Sequence, residues 1–164
     1  MSVRIQRASE RDGPQILALR RAAEEWLASR GIKQWETGEV DLEVVERQLA
    51  ANEWYVARAG GDLAGALRLL WSDEPVWQED NAFAAYVHGL MVNRSHAGRG
   101  IGAQLLRWAE EQALLAGTSQ LRLDCGESNR QLRAYYERQG FQIVGRRDFE
   151  GFWYSVVLLM KPLV

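Results

Sequence analysis

The chain has 164 residues, 47% of them hydrophobic and 26% charged, which suits one soluble α/β-sized domain with a substantial core. A net charge of −2 gives no basic field to recruit nucleic acid or an anionic membrane, so neither is expected as a partner. One cysteine, Cys125, excludes an internal disulfide and a cysteine-rich metal cluster, and the polar N-terminus and short apolar runs point to a cytoplasmic protein without a membrane span.

Val3–Ala8 alternates apolar and polar residues and reads as a first strand. Asp12 and Pro14 then open a helix as N-cap and first-turn proline; Ile16, Leu19, Ala23 and Trp26 follow at helical spacing, and Gly31 stops it. After a loop over 31–38, a second helix starts near Asp41 with Leu42, Val45 and Leu49 on one face. Trp54–Arg58 and Leu63–Trp71 form a hairpin around Gly60 and Gly61. Ser72–Asn81 is an acidic loop, and Ala84–Val92 is a strand. Gln104–Ala116 is an amphipathic helix stopped by Gly117, followed by a strand at Leu121–Cys125 and a helix at Asn129–Gln139. Phe141–Arg147 and Phe152–Lys161 are the last strands. This order predicts a mixed sheet of about seven strands flanked by about four helices, in a single domain over residues 1–164.

Between the fourth strand and the third helix lies Arg94-Ser-His-Ala97-Gly98-Arg99-Gly100-Ile101-Gly102-Ala103. Glycines ahead of a helix N-terminus let an anion reach free backbone N–H groups, and Arg99 adds a forked charge. No Gly-Lys pair is present, which excludes a Walker A loop, and Gly98, Gly100 and Gly102 miss the dinucleotide spacing by one residue.

The run from Leu90 to Leu106 resembles the acyl-CoA loop of the GCN5-related N-acetyltransferases (GNAT), whose core is [Q/R]-x-x-G-x-[G/A]. Downstream, Asn129-Arg-Gln-Leu132-Arg-Ala-Tyr135-Tyr136-Glu137-Arg-Gln-Gly140-Phe141 is similar to the second signature of that family. Ala97 departs from the Gln or Arg usual at its position, which leaves more of the grip to the backbone, with Arg94 or Arg99 in support.

The resemblance implies two splayed parallel strands, Ala84–Val92 and Leu121–Cys125, with acetyl-CoA in the gap as acyl donor and no metal. Leu90, Met91 and Val92 would meet the pantetheine and polarise the thioester; Gly98, Arg99, Gly100, Ile101, Gly102 and Ala103 would hold the pyrophosphate; Asn129 would support the cofactor from the opposite wall. Tyr136 would touch the cofactor and protonate its leaving sulfur. His88 would be the base, because period-two alternation places Tyr86, His88, Leu90 and Val92 on one face and a histidine titrates near neutrality. Asp124 or a water chain are the alternatives. Cys125, at a strand end facing the cleft, lacks a partner that would make it a nucleophile, and His96 is expected at the surface.

The acceptor would be a primary amine of a small molecule or peptide, taken by direct transfer. Trp26, Trp35, Trp71, Trp77 and Tyr86 would wall its site together with Glu36, Glu39, Asp73, Glu74, Glu79 and Asp80, since aromatic faces and carboxylates suit a cation; the alternative, favoured for most of them, is that Trp26 and Trp71 are core residues and the acids form a solvated loop. The alternative is a non-catalytic CoA-binding or sensing module, which would have no use for Tyr136 and His88. The strongly β-forming last strand is expected to lie at a sheet edge and to offer a contact for a homodimer.

Overall fold

Ser9 and Asp12 form a cap ahead of the first helix: the Ser9 N–H donates to Asp12 Oδ2 at 2.8 Å, and the other carboxylate oxygen takes an ion pair from Arg58. Asp12 therefore does not cap the helix that follows it, as the sequence suggested; it ties the helix entry to the second strand. The computed structural model describes residues 3–35, 37–78, 80, 82–149 and 155–164. In chain order its elements are β1 (Arg4–Arg7), α1 (Gly13–Ser29), α2 (Leu42–Ala50), β2 (Trp54–Ala59), β3 (Asp62–Leu70), α3 (Glu74–Trp77), β4 (Ala85–Val92), α4 (Ile101–Ala116), β5 (Gln120–Gly126), α5 (Arg130–Arg138), β6 (Gln142–Asp148) and β7 (Ser155–Pro162).

The seven strands form one mixed sheet in the order β1-β2-β3-β4-β5-β7-β6. Neighbours are antiparallel except β4 and β5. The sequence expectation holds in architecture, with two local differences. A single turn, α3, interrupts the acidic loop, and α4 starts at Ile101 rather than Gln104 because Gly100 takes a left-handed conformation (φ 72°) that turns the chain into the helix three residues earlier. β7 is not an edge strand. It pairs with β5 on one side and β6 on the other, so its backbone is satisfied twice and the edge contact expected for it is closed; residues 152–154 of that expected strand lie outside the described residues. Among the described residues no helix is long and apolar enough to cross a membrane.

Two layers cover the sheet. On one face α4 and α5 pack over Leu67, Leu69, Ala85, Val87, Leu121, Leu123 and Cys125, with Ile101, Leu105, Leu106 and Tyr136 supplied by the helices. On the other, Ile16 of α1 and Val45 and Leu49 of α2 meet Trp54, Val56, Leu63, Ala66 and Met91. Burying side chains of this size contributes about 1.5–3 kcal/mol each, which is what holds the helices on the sheet.

A bulge in β4 decides which side chains go to which face. Ala66 pairs with Met91 and Arg68 with His88, so Leu67 alone stands opposite both Gly89 and Leu90. Gly89 has φ 59°, and a Cβ on it would lie 2.9 Å from Trp54 Cη2. The extra residue reverses the alternation: Ala85 and Val87 before it and Leu90 and Val92 after it all pack toward α4, whereas Tyr86, His88 and Met91 fall on the opposite side. The expectation that Tyr86, His88, Leu90 and Val92 share one face is thereby corrected. Both the positive φ and the indole contact act against a side chain at this position. Gly89→Ala should therefore cost about 2 kcal/mol or more and lower Tm by about 4–8 °C; calorimetric melting at the parent temperature would show that the bulge does not depend on glycine.

Candidate active site

β4 and β5 pair only at Ala85 with Leu121 and Tyr86 with Arg122. Beyond these positions β4 continues along β3 and β5 along β7, and the two strands separate. Between them lies a cavity of about 820 Å³, walled by Val87–Arg94, Asp124, α5 from Gln131 to Tyr136, and Leu19, Ala23, Trp26 and Leu27 of α1. The β4 backbone beyond Tyr86 has no strand partner on this side, so its polar groups face the cavity as an open sheet edge. The loop after α1 closes the far end. Gln34 Oε1 accepts from the Gly126 N–H at 2.8 Å and from Asn129 Nδ2 at 3.4 Å, and Gly126 lacks a Cβ where the Lys33 carbonyl passes.

The glycine turn sits at the other end. Asn93 anchors it by donating to the Leu63 carbonyl (3.1 Å) and accepting from the Ser95 N–H (3.1 Å). Gly98 and Gly100 have φ of 78° and 72°, and no atom lies within 4 Å of where their Cβ would stand, so the approach to this backbone is open. The first helical hydrogen bond runs from the Gln104 N–H to the Gly100 carbonyl (3.0 Å), which leaves the N–H groups of Ile101, Gly102 and Ala103 ahead of it without a helical acceptor. The Ile101 side chain is buried in the core and fixes the helix start, so only its backbone can serve a ligand. Gly102 is glycine for a different reason: a Cβ would lie 2.9 Å from the Tyr135 hydroxyl. Arg99 points back to His96 (3.4 Å), whose other ring nitrogen is 3.5 Å from Asp62. His96 is thus buried, not at the surface, and links the turn to the β2–β3 hairpin. Arg94 stacks over Trp26 at 4.7 Å and borders the cavity.

His88 lies where the strands part. Its Nε2 is 2.8 Å from Asp73 Oδ2 and its Nδ1 is 4.0 Å from Asp124 Oδ1. Burial pushes the Asp124 carboxyl up to about 6; the nearby His88 opposes this and the charge of Asp73 adds to it. The ligand atoms of these three residues lie within 4.8 Å of one another, close enough to share a cation, and His88 and Asp73 are already within hydrogen-bond distance of each other. A second cavity, of about 320 Å³, meets the first at Trp35, His88, Gly89, Asp124 and Val156, and extends beneath α1 and α2 past Arg20, Glu39, Gln48, Trp54 and Arg68. His88 and Asp124 therefore stand at the junction of two cavities.

Tyr136 lines the larger cavity from α5, packed edge-to-face against Tyr135 (5.6 Å) and Phe141 (5.7 Å). Burial, and then the neighbouring Cys125, Tyr135 and Asp124, raise its phenol far above the ordinary range. Cys125 belongs to the core under α4 and α5 rather than facing the cleft; burial and then Asp124 push its thiol up to about 12, which leaves it inert as a nucleophile. Asn129 lines the cavity, but its Oδ1 caps α5 at the Leu132 N–H (3.2 Å).

Leu90, Met91, Val92, Gly102, Asn129 and Tyr136 thus border the cavity, with His88, whereas Gly98, Arg99, Gly100 and Ala103 form the turn next to it. Of the expected acceptor wall, Trp26, Trp35 and Glu39 border a cavity and Asp73 holds His88. Trp71 stacks on Phe83 at the surface, and Trp77 and Tyr86 pack around Arg122, which also pairs with Asp80. Glu36 and Glu79 lie outside the described residues. Sequence reasoning passed over Gln34, Arg20 and Arg68, and it had no way to connect Asp73 to a histidine fifteen residues away across a turn.

The profile of the Acetyltransferase (GNAT) family matches residues 19–141. The chain is similar to the uncharacterized N-acetyltransferase YesJ of Bacillus subtilis, with 31% identity over 86% of this chain and 82% of the relative. It is also similar to the S-(2-succino)cysteine N-acetyltransferase of that organism, with 28% identity over 99% of this chain and 98% of the relative. Among solved structures, an acetyltransferase of the GNAT family from Listeria monocytogenes superposes with a TM-score of 0.81 and 28% identity, over 98% of this chain and 95% of the other.

The Asp124 environment has a sign that can be measured. A carboxyl raised from 3.8 to about 6 favours the folded state in its protonated form, so that contribution is complete below pH 3.8 and is lost as the pH rises through about 6. Asp124→Asn should gain in Tm over the parent as the pH goes from 4 to 8. A constant difference across that range would show that Asp124 is not raised.

Proposed function

The chain belongs to the GNAT acetyltransferase family, whose general reaction is acetyl-CoA-dependent acetyl transfer, and from that premise we propose that it acetylates a primary amine of a small molecule by direct transfer with both substrates bound. One observation carries this reading: the splayed-strand cavity and the smaller one beside it meet at His88 and Asp124, where an amine and a thioester would face each other. The volume of the second cavity, about 320 Å³, suits a small acceptor, as does the small-molecule acceptor in the name of one relative.

Acetyl-CoA brings an activated acyl group, and the chain supplies position and charge. The free edge of β4 receives the pantetheine as an added strand. The N–H groups at the start of α4 hold the pyrophosphate with the positive end of the helix dipole, and Arg94 stands in for the side chain missing at Ala97. Backbone N–H groups at Leu90 and Met91 stabilise the charge that develops on the thioester oxygen.

An alkylammonium must lose a proton before it attacks, and a second as the amide forms. Asp73 accepts the Nε2–H of His88, which leaves the Nδ1 lone pair directed toward Asp124 and the junction. Asp124, ionised above about pH 6, draws the ammonium in, and the pair passes its proton outward. The C–N bond forms as the C–S bond breaks; one proton ends on the sulfur of CoA and one in solvent. Tyr136 keeps its proton throughout, so it meets the leaving sulfur as a hydrogen-bond donor that stabilises the developing thiolate.

Tyr136→Phe should lower kcat by about a hundredfold while CoA still raises Tm, and an unchanged kcat would remove Tyr136 from this role. In the parent, kcat/KM should fall below about pH 6 as Asp124 takes up a proton; in His88→Gln the rate should drop and this limb should change shape, because the coupled pair is gone. An amine-library screen reading thiol release from acetyl-CoA tests the whole reading: no turnover with any amine would sink it.

A further inference from the structure

We propose that the acceptor is an α-amino acid, its amine at the His88–Asp124 junction and its α-carboxylate on Arg68; this rests on the acetyltransferase reading and narrows its substrate class.

Arg68 pairs directly with His88 across β3 and β4, so their side chains leave the same face of the sheet about 5 Å apart at Cβ. The cation and the proton-accepting cluster therefore border one small cavity from neighbouring strands. Arg68 is held rather than loose: Nε and Nη2 both donate to a single oxygen of Glu53, at 3.1 and 2.6 Å. That pair leaves the Nη1 edge of the guanidinium outside it, while the side chain, 22% exposed, borders the small cavity.

Further along that cavity Arg20 lies flat on Trp35 at 4.1 Å, fixed by Glu24 (2.8 Å) and Glu39 (3.2 Å). The junction end of the cavity carries His88 and Asp124, with Asp73 behind His88, and suits an ammonium; on its wall Arg20 is engaged by Glu24 and Glu39, and Arg68, held by Glu53 through Nε and Nη2, offers its remaining edge to an anion. An amine without a carboxylate would use the first end alone, whereas a zwitterion reaches both. Trp54, Val76 and Val156 supply the apolar surface for a side chain.

The test compares acetylation kinetics, by thiol release, for matched sets: an amino acid, its amide and the amine lacking the carboxylate, with small, aromatic and acidic side chains. For the best side chain, kcat/KM should favour the free amino acid over both partners by about tenfold or more, the scale of one charge-assisted hydrogen bond. Arg68→Gln should bring that ratio close to one, and Arg68→Lys should restore part of it. The CoA-induced rise in Tm, retained in both variants, separates this result from a damaged fold. Turnover of amines with no preference for the carboxylate, or a ratio that survives Arg68→Gln, overturns the amino-acid proposal and leaves the acetyltransferase reading standing. Absence of turnover with every amine overturns both.

Discussion

Two parallel strands that stay together for only two residue pairs are the constraint on which the rest of this structure depends. A parallel ladder is no more stable per residue than an antiparallel one, and here each strand has a longer antiparallel commitment elsewhere: β4 to β3 and β5 to β7, the latter paired at seven positions. The sheet therefore opens at its centre, where backbone groups would ordinarily be satisfied by the next strand. Backbone groups at such an opening need other partners or solvent. Gln34 provides one at the Gly126 end, whereas the β4 edge beyond Tyr86 faces the cavity.

The bulge at Gly89 turns this opening into a site with two distinct sides. Without it, His88 and Leu90 would project in the same direction and the imidazole would compete for space with an apolar contact of α4. The additional residue sends Leu90 and Val92 into the α4 core and keeps His88 with Tyr86 and Met91 on the α1–α2 side. The larger and the smaller cavity consequently meet at this part of the backbone. Glycine at position 89 is required twice, by its positive φ and by the indole of Trp54 against it.

Electrostatics follow from that placement. Asp124 is buried beside Asp73, so its carboxyl holds a proton to a higher pH than an exposed aspartate, and His88 between them moderates the repulsion. Cys125, the next residue along β5, points to the opposite face and into the core, where the same low-dielectric surroundings suppress its thiolate. One residue of alternation separates a carboxylate that borders both cavities from a thiol buried in the core.

Much of this was legible in the sequence, because the signals involved are local. The strand and helix periods and the glycine stops follow from chain geometry within a few residues, and the resemblance of two spaced motifs to a known family implied a cleft that Leu90, Met91, Val92, Gly102, Asn129 and Tyr136 indeed border. The errors share a cause as well. The alternation of β4 was read through Gly89 as if the strand were regular, because a bulge is defined by the partner strand, Leu67, and not by its own residues. His96 was assigned to the surface, yet Asp62 and Arg99 enclose it. The last strand was assigned to an edge, yet β6 folds back outside it. Asp73 and Arg68 reach His88 from a turn and a neighbouring strand, and no spacing rule connects them. By itself the sequence determined which elements form and where an open glycine turn leads into a helix, since hydrogen bonding and periodicity act over a turn or a strand. Only the tertiary structure decided which side chains share a charge or a proton, because those energies depend on distance through space between residues far apart in the chain.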